Sequence, residues 1–326
     1  GACARYLNYR KKFKVMPKAL FVNGNSSVNI RNTEGILNEK DKQITRAVFG
    51  YGAKDIKELG KGVYNQYGVG EKGFNITSIQ FAIHYMFKSQ LTLQNFLQNV
   101  SETTKEGGYF VGTSYDGNLI FNMLRTKKQG ESEVIMEDDN KIWEVTKQYD
   151  HDKFEDNGSS LGYAIDVYQE SINKTFREYL VNYDYLTRLL ENYGFVLLTS
   201  DEVKEKNLPS STGLFNELFT SMNSEIRRNK KAANEYGSAP DMTANERKIS
   251  FLNRYFIYKK VRNVDAETIA RNLMGKTLDD ELDEEEQTRL AQESAKLALK
   301  QIKPKKAPKK LTRKLKLVEK TPSPGN

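Results

Sequence analysis

The stretch SIQFAIHYMF, residues 78–87, decides the fold. Its first half is apolar enough for a buried strand, and residues 76–83 are expected as one, with only Thr77, Ser78 and Gln80 interrupting the run. The stretch then sets His84, one of two histidines in the chain, beside Tyr85. Further on, Leu93, Phe96, Leu97 and Val100 are spaced to share one helix face. Gly107 and Gly108 stop that helix, and residues 109–113 read as the next strand. A strand, a helix and a strand in that order predict a right-handed parallel crossover in an α/β sheet.

Upstream, residues 4–14 read as a short basic helix ended by Pro17. Residues 19–22 read as a buried strand, and residues 23–27 as a turn-rich loop at its carboxyl end. Downstream, residues 115–175 alternate polar segments with β-like runs at 132–136 and 142–145, which predicts an antiparallel insertion. A helix through Leu186, Leu189 and Leu190 ends at Gly194 and feeds a strand at 195–198. A last strand at 251–258 is expected to make an antiparallel pair with its neighbour at the sheet edge. Residues 1–262 are thus expected as one domain. Residues 263–326 hold an acidic run at 279–286 and then the basic QIKPKKAPKKLTRKLKLVEK, expected as a largely disordered tail.

The 326 residues suffice for a sizeable core, and a hydrophobic share of only 38% agrees with an uncovered tail. A net charge of +8 and a pI near 9.1 lean toward an acidic partner such as nucleic acid. Cys3 alone excludes an internal disulfide and a cysteine-based zinc site, and two distant histidines argue against a histidine-rich metal centre. No apolar run approaches a membrane span, so no membrane association is expected. The sequons at Asn75 and Asn173 are read as chance matches.

In an open α/β sheet, ligands sit beyond the carboxyl ends of the strands. The loops at 23–27, 80–87 and 113–117 lie there, which fits a nucleotide-like ligand. His84 beside an apolar strand is by itself most simply a satisfied core residue. Its place at the strand end, next to Tyr85 and four residues after Gln80, points to a site instead. No phosphate-binding glycine loop and no serine or cysteine nucleophile pattern is present.

The run Ser78, Gln80, Phe81, His84 and Tyr85, then a helix, then Gly107-Gly108-Tyr109-Phe110 and Gly112-Thr113, resembles the mRNA cap guanine-N7 methyltransferases. Glu178-Tyr179-Leu180-Val181 is similar to their E-[YF]-L-V motif. The wording around residues 1–8, 20–27 and 59–64 also resembles the methyltransferase domain of capping enzymes from giant, mimivirus-like DNA viruses. The resemblance implies a Rossmann-like class I sheet that uses S-adenosylmethionine and methylates N7 of the guanine in GpppN-capped RNA. It implies that Asn25, Ser26, Gln80 and Tyr85 lie by the methyl donor, and that Phe81, His84, Tyr85 and Glu178 hold the guanine. Other implied partners are triphosphatase and guanylyltransferase domains on the same polypeptide. The implied setting is a viral factory in host cytoplasm, or the virion.

Five departures from the family pattern stand out. The glycine-rich donor loop and the acid after the second strand are missing, so the sheet is expected to lack its first two strands. With no initiator methionine, the chain is expected to be a piece of a larger enzyme, inactive alone. Asn25 stands where the family has an aspartate. Tyr115 stands at a common proline, and Asn253 at a tyrosine of the last strand. The competing expectation is a non-catalytic, methyltransferase-like RNA-binding or scaffold module.

Overall fold

The computed structural model describes residues 1–275. Of the tail expected over 263–326, residues 276–326 lie outside the described residues. Helices α1 (Ala2–Lys12), α2 (Glu39–Val48) and α3 (Ile56–Tyr64) precede strand β1 (Phe74–Gln80), helix α4 (Gln90–Thr103) and strand β2 (Thr104–Tyr115). Helix α5 (Gly117–Met123) leads into strands β3 (Ser132–Glu137), β4 (Asn140–Lys147), β5 (Ala164–Gln169) and β6 (Lys174–Tyr179). Helix α6 (Tyr183–Asn192), strand β7 (Phe195–Leu197), helix α7 (Ser200–Glu205), strand β8 (Thr212–Leu214) and helix α8 (Phe215–Arg228) follow. Helix α9 (Ala244–Ser250), strand β9 (Asn253–Lys260) and helix α10 (Ala266–Met274) end the described chain.

The main sheet runs β1-β2-β9-β7, with β8 also paired to β9. The β1–β2 pair is parallel, as expected from its crossover helix, and β9 is antiparallel to β2, β7 and β8. Helix α4 starts from a Ser89–Thr92 capping box, and its face of Leu93, Phe96, Leu97 and Val100 is buried. That face meets Phe110 and Phe256 from the sheet and Leu186 and Leu190 from α6 in one core. Gly112 lets β2 lie flat here. A Cβ at that position would fall 2.3 Å from the Ile79 carbonyl oxygen and 2.4 Å from the Phe256 ring.

The insertion is an antiparallel sheet in the order β3-β4-β5-β6. It runs past the expected limit at 175, because β6 extends to Tyr179 and carries Glu178. One face buries Trp143, Val145, Ile165 and Val167 against Ile120 and Leu124. Side chains two apart along a strand share a face, so Gln169 on β5 and Phe176 and Glu178 on β6 continue that same face.

Three other expectations change. Residues 19–22 form no strand, since an extended segment needs a hydrogen-bonding edge and only Gly24 bridges, to Ile36. Ala19, Leu20 and Val22 instead wall an apolar cavity of about 510 Å³ with Phe49, Phe74 and Ile76. Strand β1 ends at Gln80, before His84, and it is an outer strand whose Phe74 and Ile76 are exposed. Past Arg262 the chain continues into α10, because Ala266 and Ala270 pack into the main core beside α4. No helix among the described residues is long and apolar enough to cross a membrane.

Candidate active site

The chain turns sharply after β1. Phe81 adopts φ 51°, a left-handed conformation that a bulky side chain rarely takes. It is held there by its amide, which donates to the Thr113 carbonyl at 2.8 Å, and by edge contact of its ring with Phe215 of α8. The turn starts a 3-10 segment, Ile83–Lys88, with Ile83 and Phe87 fully buried. A segment anchored at both of those positions must aim His84 and Tyr85 together. Their rings meet edge to face, 4.2 Å between centroids.

His84 and Tyr85 face the far end of the antiparallel sheet across a cavity of about 490 Å³. Phe81, Ser114, Gln169, Phe176 and Glu178 also line it. Glu178 stands opposite Ile165 in the β5–β6 register, a carboxylate in what is otherwise a row of core positions. Its Oε2 lies 3.5 Å from His84 Nδ1, near but without a hydrogen bond, while Nδ1 is 3.3 Å from Ser114 Oγ. His84 Nε2 and Glu178 Oε2 are both buried and lack hydrogen-bond partners. Burial pushes Glu178 up to about 7 and His84 down to about 4, because desolvation disfavours the charged form of each. Tyr85 is also raised, by burial first and then by the Glu178 charge.

Buried polar atoms without partners are uncommon in folded proteins and call for an explanation. A ligand that brings both donors and acceptors would satisfy Oε2 and Nε2 together. The purine edge of guanine is such a ligand, offering N1–H and N2–H₂ to a carboxylate.

The donor side of the expected site is less concentrated. Gln80 is exposed at the end of β1, accepting from Thr113 Oγ1 at 2.8 Å and donating to Ser78 Oγ at 2.9 Å. Phe81 and Tyr85 stay 55% and 42% exposed, which leaves two aromatic faces at the rim. A rim of an amide and aromatic faces fits a sulfonium cation. Asn25 and Ser26 do not line the cavity. The Asn25 side chain caps Ser27 within its own turn, and the Ser26 carbonyl is held by Asn99 of α4.

Ser114 and Tyr115 belong to the loop at 113–117 expected beside a ligand, whereas Gln169 and Phe176 were not expected as cavity residues. Phe176 could have been found from its place two residues before Glu178 on one strand. Gln169 had no signal until β5 was registered against β6. Asn253, noted in the sequence only as a departure, lines the cavity with Tyr115.

A family model described as the mRNA (guanine-N(7))-methyltransferase domain matches residues 36–261. The chain is 28% identical over 296 residues to the "Probable mRNA-capping enzyme" of Acanthamoeba polyphaga mimivirus, covering 80% of this chain and 22% of that protein. It is 27% identical to the "mRNA cap guanine-N(7) methyltransferase" of Candida albicans, over 53% of this chain and 37% of that one. It is 23% identical to an African swine fever virus "mRNA-capping enzyme", over 47% of this chain and 18% of that protein. The chain thus spans well under half the length of these relatives. Among solved structures, the CcbJ methyltransferase from Streptomyces caelestis is similar at a TM-score of 0.32 and 10% identity, over 59% of each chain. The family match covers more than half of the sequence, and so the chain belongs to the mRNA (guanine-N7)-methyltransferase family, whose methyl donor is S-adenosylmethionine.

Proposed function

We propose that this domain transfers a methyl group from S-adenosylmethionine to N7 of the cap guanine of GpppN-RNA. The observation that carries this reading is Glu178: a carboxylate with one buried, unpartnered oxygen, 3.5 Å from a buried histidine, in a cavity of about 490 Å³. When bound, S-adenosylmethionine supplies an electrophilic methyl group, and N7 of guanine accepts it through a free lone pair, so no base need remove a proton.

The protein's part is therefore positioning and electrostatics. Glu178 accepts from N1–H and N2–H₂ and offsets the positive charge that methylation develops in the ring. His84, neutral at pH 7, orients the base through Nε2. The exposed faces of Phe81 and Tyr85 flank the base and the donor, with Gln80 on the donor side. Asn25 and Ser26 are the residues of the proposed donor set that lie apart from the others.

The proposal extends to the setting. Triphosphatase and guanylyltransferase domains on the same polypeptide would deliver the GpppN end, and the work would take place in a cytoplasmic viral factory or in the virion. A second reading, a non-catalytic RNA-binding or scaffold module, is favoured by one observation: the turn that holds Asn25 and Ser26 faces α4 and not the cavity.

The test is methyl transfer to GpppG-RNA by the full polypeptide, with the product position read by mass spectrometry after nuclease digestion. N7-methylguanosine formed by wild type and lost with Glu178→Gln is the expected result. Capped-RNA binding without any transfer would install the scaffold reading, and methylation at another atom would overturn both.

A further inference from the structure

The two substitutions in the family pattern that flank the cavity are partners. Tyr115 ends β2 and pairs directly with Asn253, the first residue of β9. Asn253 does not reach inward with its amide, which donates to the Ser250 carbonyl at 3.0 Å and more weakly to that of Ile249. Tyr115 is arranged differently. Its hydroxyl oxygen accepts from the Trp143 indole N–H at 2.9 Å and from Gln169 Nε2 at 3.0 Å. A phenol has two acceptor lone pairs and one proton. Both lone pairs are taken by donors rooted in the antiparallel sheet, Trp143 in its core and Gln169 in the cavity wall. No acceptor for the remaining proton is found among the described residues.

Resting on the capped-guanine reading of this cavity, we propose that Tyr115 donates this proton to O6 of the base and is a specificity-determining residue of the site. A hydroxyl saturated as an acceptor can only donate. The guanine edge that offers N1–H and N2–H₂ to Glu178 carries O6 as its neighbouring acceptor. Adenine would present its N6 amino group there, a donor against a donor, beside a Glu178 with no N1–H to bind. A site built from fixed hydrogen-bonding groups rejects such a mismatch far more strongly than an apolar pocket would. Burial first, and Glu178's charge in addition, raise the phenol's pKa against the lowering effect of its two donors, so the proton stays on the oxygen at neutral pH.

The test is a binding cycle with the full polypeptide, using GpppG and the analogue whose methyl-accepting base is 6-thioguanine, which keeps N1–H and N2–H₂ but replaces O6 with a weakly accepting sulfur. Tyr115→Phe should weaken GpppG binding about tenfold, the worth of one hydrogen bond, and leave the analogue's affinity nearly unchanged. Gln169→Glu gives the hydroxyl an acceptor inside the protein and should produce the same selective loss with the tyrosine in place, which covers the case of a Tyr115→Phe chain that fails to fold. Equal losses for the two ligands, or no loss for either, would overturn the proposal and mark Tyr115 as a packing residue. Wild-type protein that binds neither ligand would remove the capped-guanine reading itself.

Discussion

The two sides of the candidate site are built to different standards. On the side proposed for guanine, His84, Ser114, Tyr115, Gln169 and Glu178 converge on one cavity from a 3-10 turn and two sheets, between the two cores. On the side proposed for the methyl donor, Gln80 and Phe81 sit exposed at the end of an outer strand, and Asn25 and Ser26 lie elsewhere along α4. A cavity between two sheets inherits the rigidity of both cores, whereas a rim at a sheet edge has support from one side only.

That contrast can be broken or sharpened by experiment, starting with the wall. Asp116 is 4% exposed, accepts from Arg254 Nε at 2.6 Å and caps α5 through Leu119 N–H. Asp116→Ala removes the carboxylate from a guanidinium whose side chain is 26% exposed, together with the α5 cap, and should lower stability by about 2–3 kcal/mol in denaturant unfolding. A loss below about 1 kcal/mol would show that the wall is not what holds the cavity. Next, Glu178→Gln should reduce cap methylation by about 10²–10³-fold, the scale of removing one preorganised electrostatic partner. Asn25→Asp should leave it nearly unchanged. Equal small effects would erase the distinction between the two sides.

A smaller effect comes from pH. With Glu178 at about 7 in the free protein, the protonated carboxyl cannot accept from both N1–H and N2–H₂. Guanine donors stabilise the carboxylate, so its pKa is lower in the complex. Affinity is then fully present above pH 7 and is lost as pH falls through it, by about tenfold per unit until the bound-state pKa is reached. His84, at about 4, titrates below this window. Fluorescence titration with a cap analogue between pH 5.5 and about 8 would reveal the slope, which Glu178→Gln should flatten. The smallest effect is expected at the open edge. Ile76, 59% exposed on β1, should tolerate Ile76→Lys within about 0.5 kcal/mol, read by thermal melting. A loss of several kcal/mol would mean that this edge is covered in the intact polypeptide.

Much of the fold was legible because it follows from periodicity. The face of Leu93, Phe96, Leu97 and Val100 and the β1–α4–β2 crossover came directly from spacing and glycine stops. The short strand at 19–22 was misread because four apolar residues specify burial without saying against what. The run through Ile83 was read as one strand because composition cannot show a left-handed Phe81, which depends on Phe215 and the Thr113 carbonyl, both distant in sequence.

By itself, the sequence determined the class of sheet and the antiparallel insertion, and its resemblance to a family points to His84, Tyr85 and Glu178. Local spacing and a short motif are enough for that, since both are properties of neighbouring residues. Only the tertiary structure decided that Glu178 stands 3.5 Å from His84 with an unpartnered oxygen, that Tyr115 and Asn253 are paired, and that Asn25 lies apart. Those facts depend on register between strands far apart in the chain and on desolvation by two cores at once, and no single segment of sequence carries either.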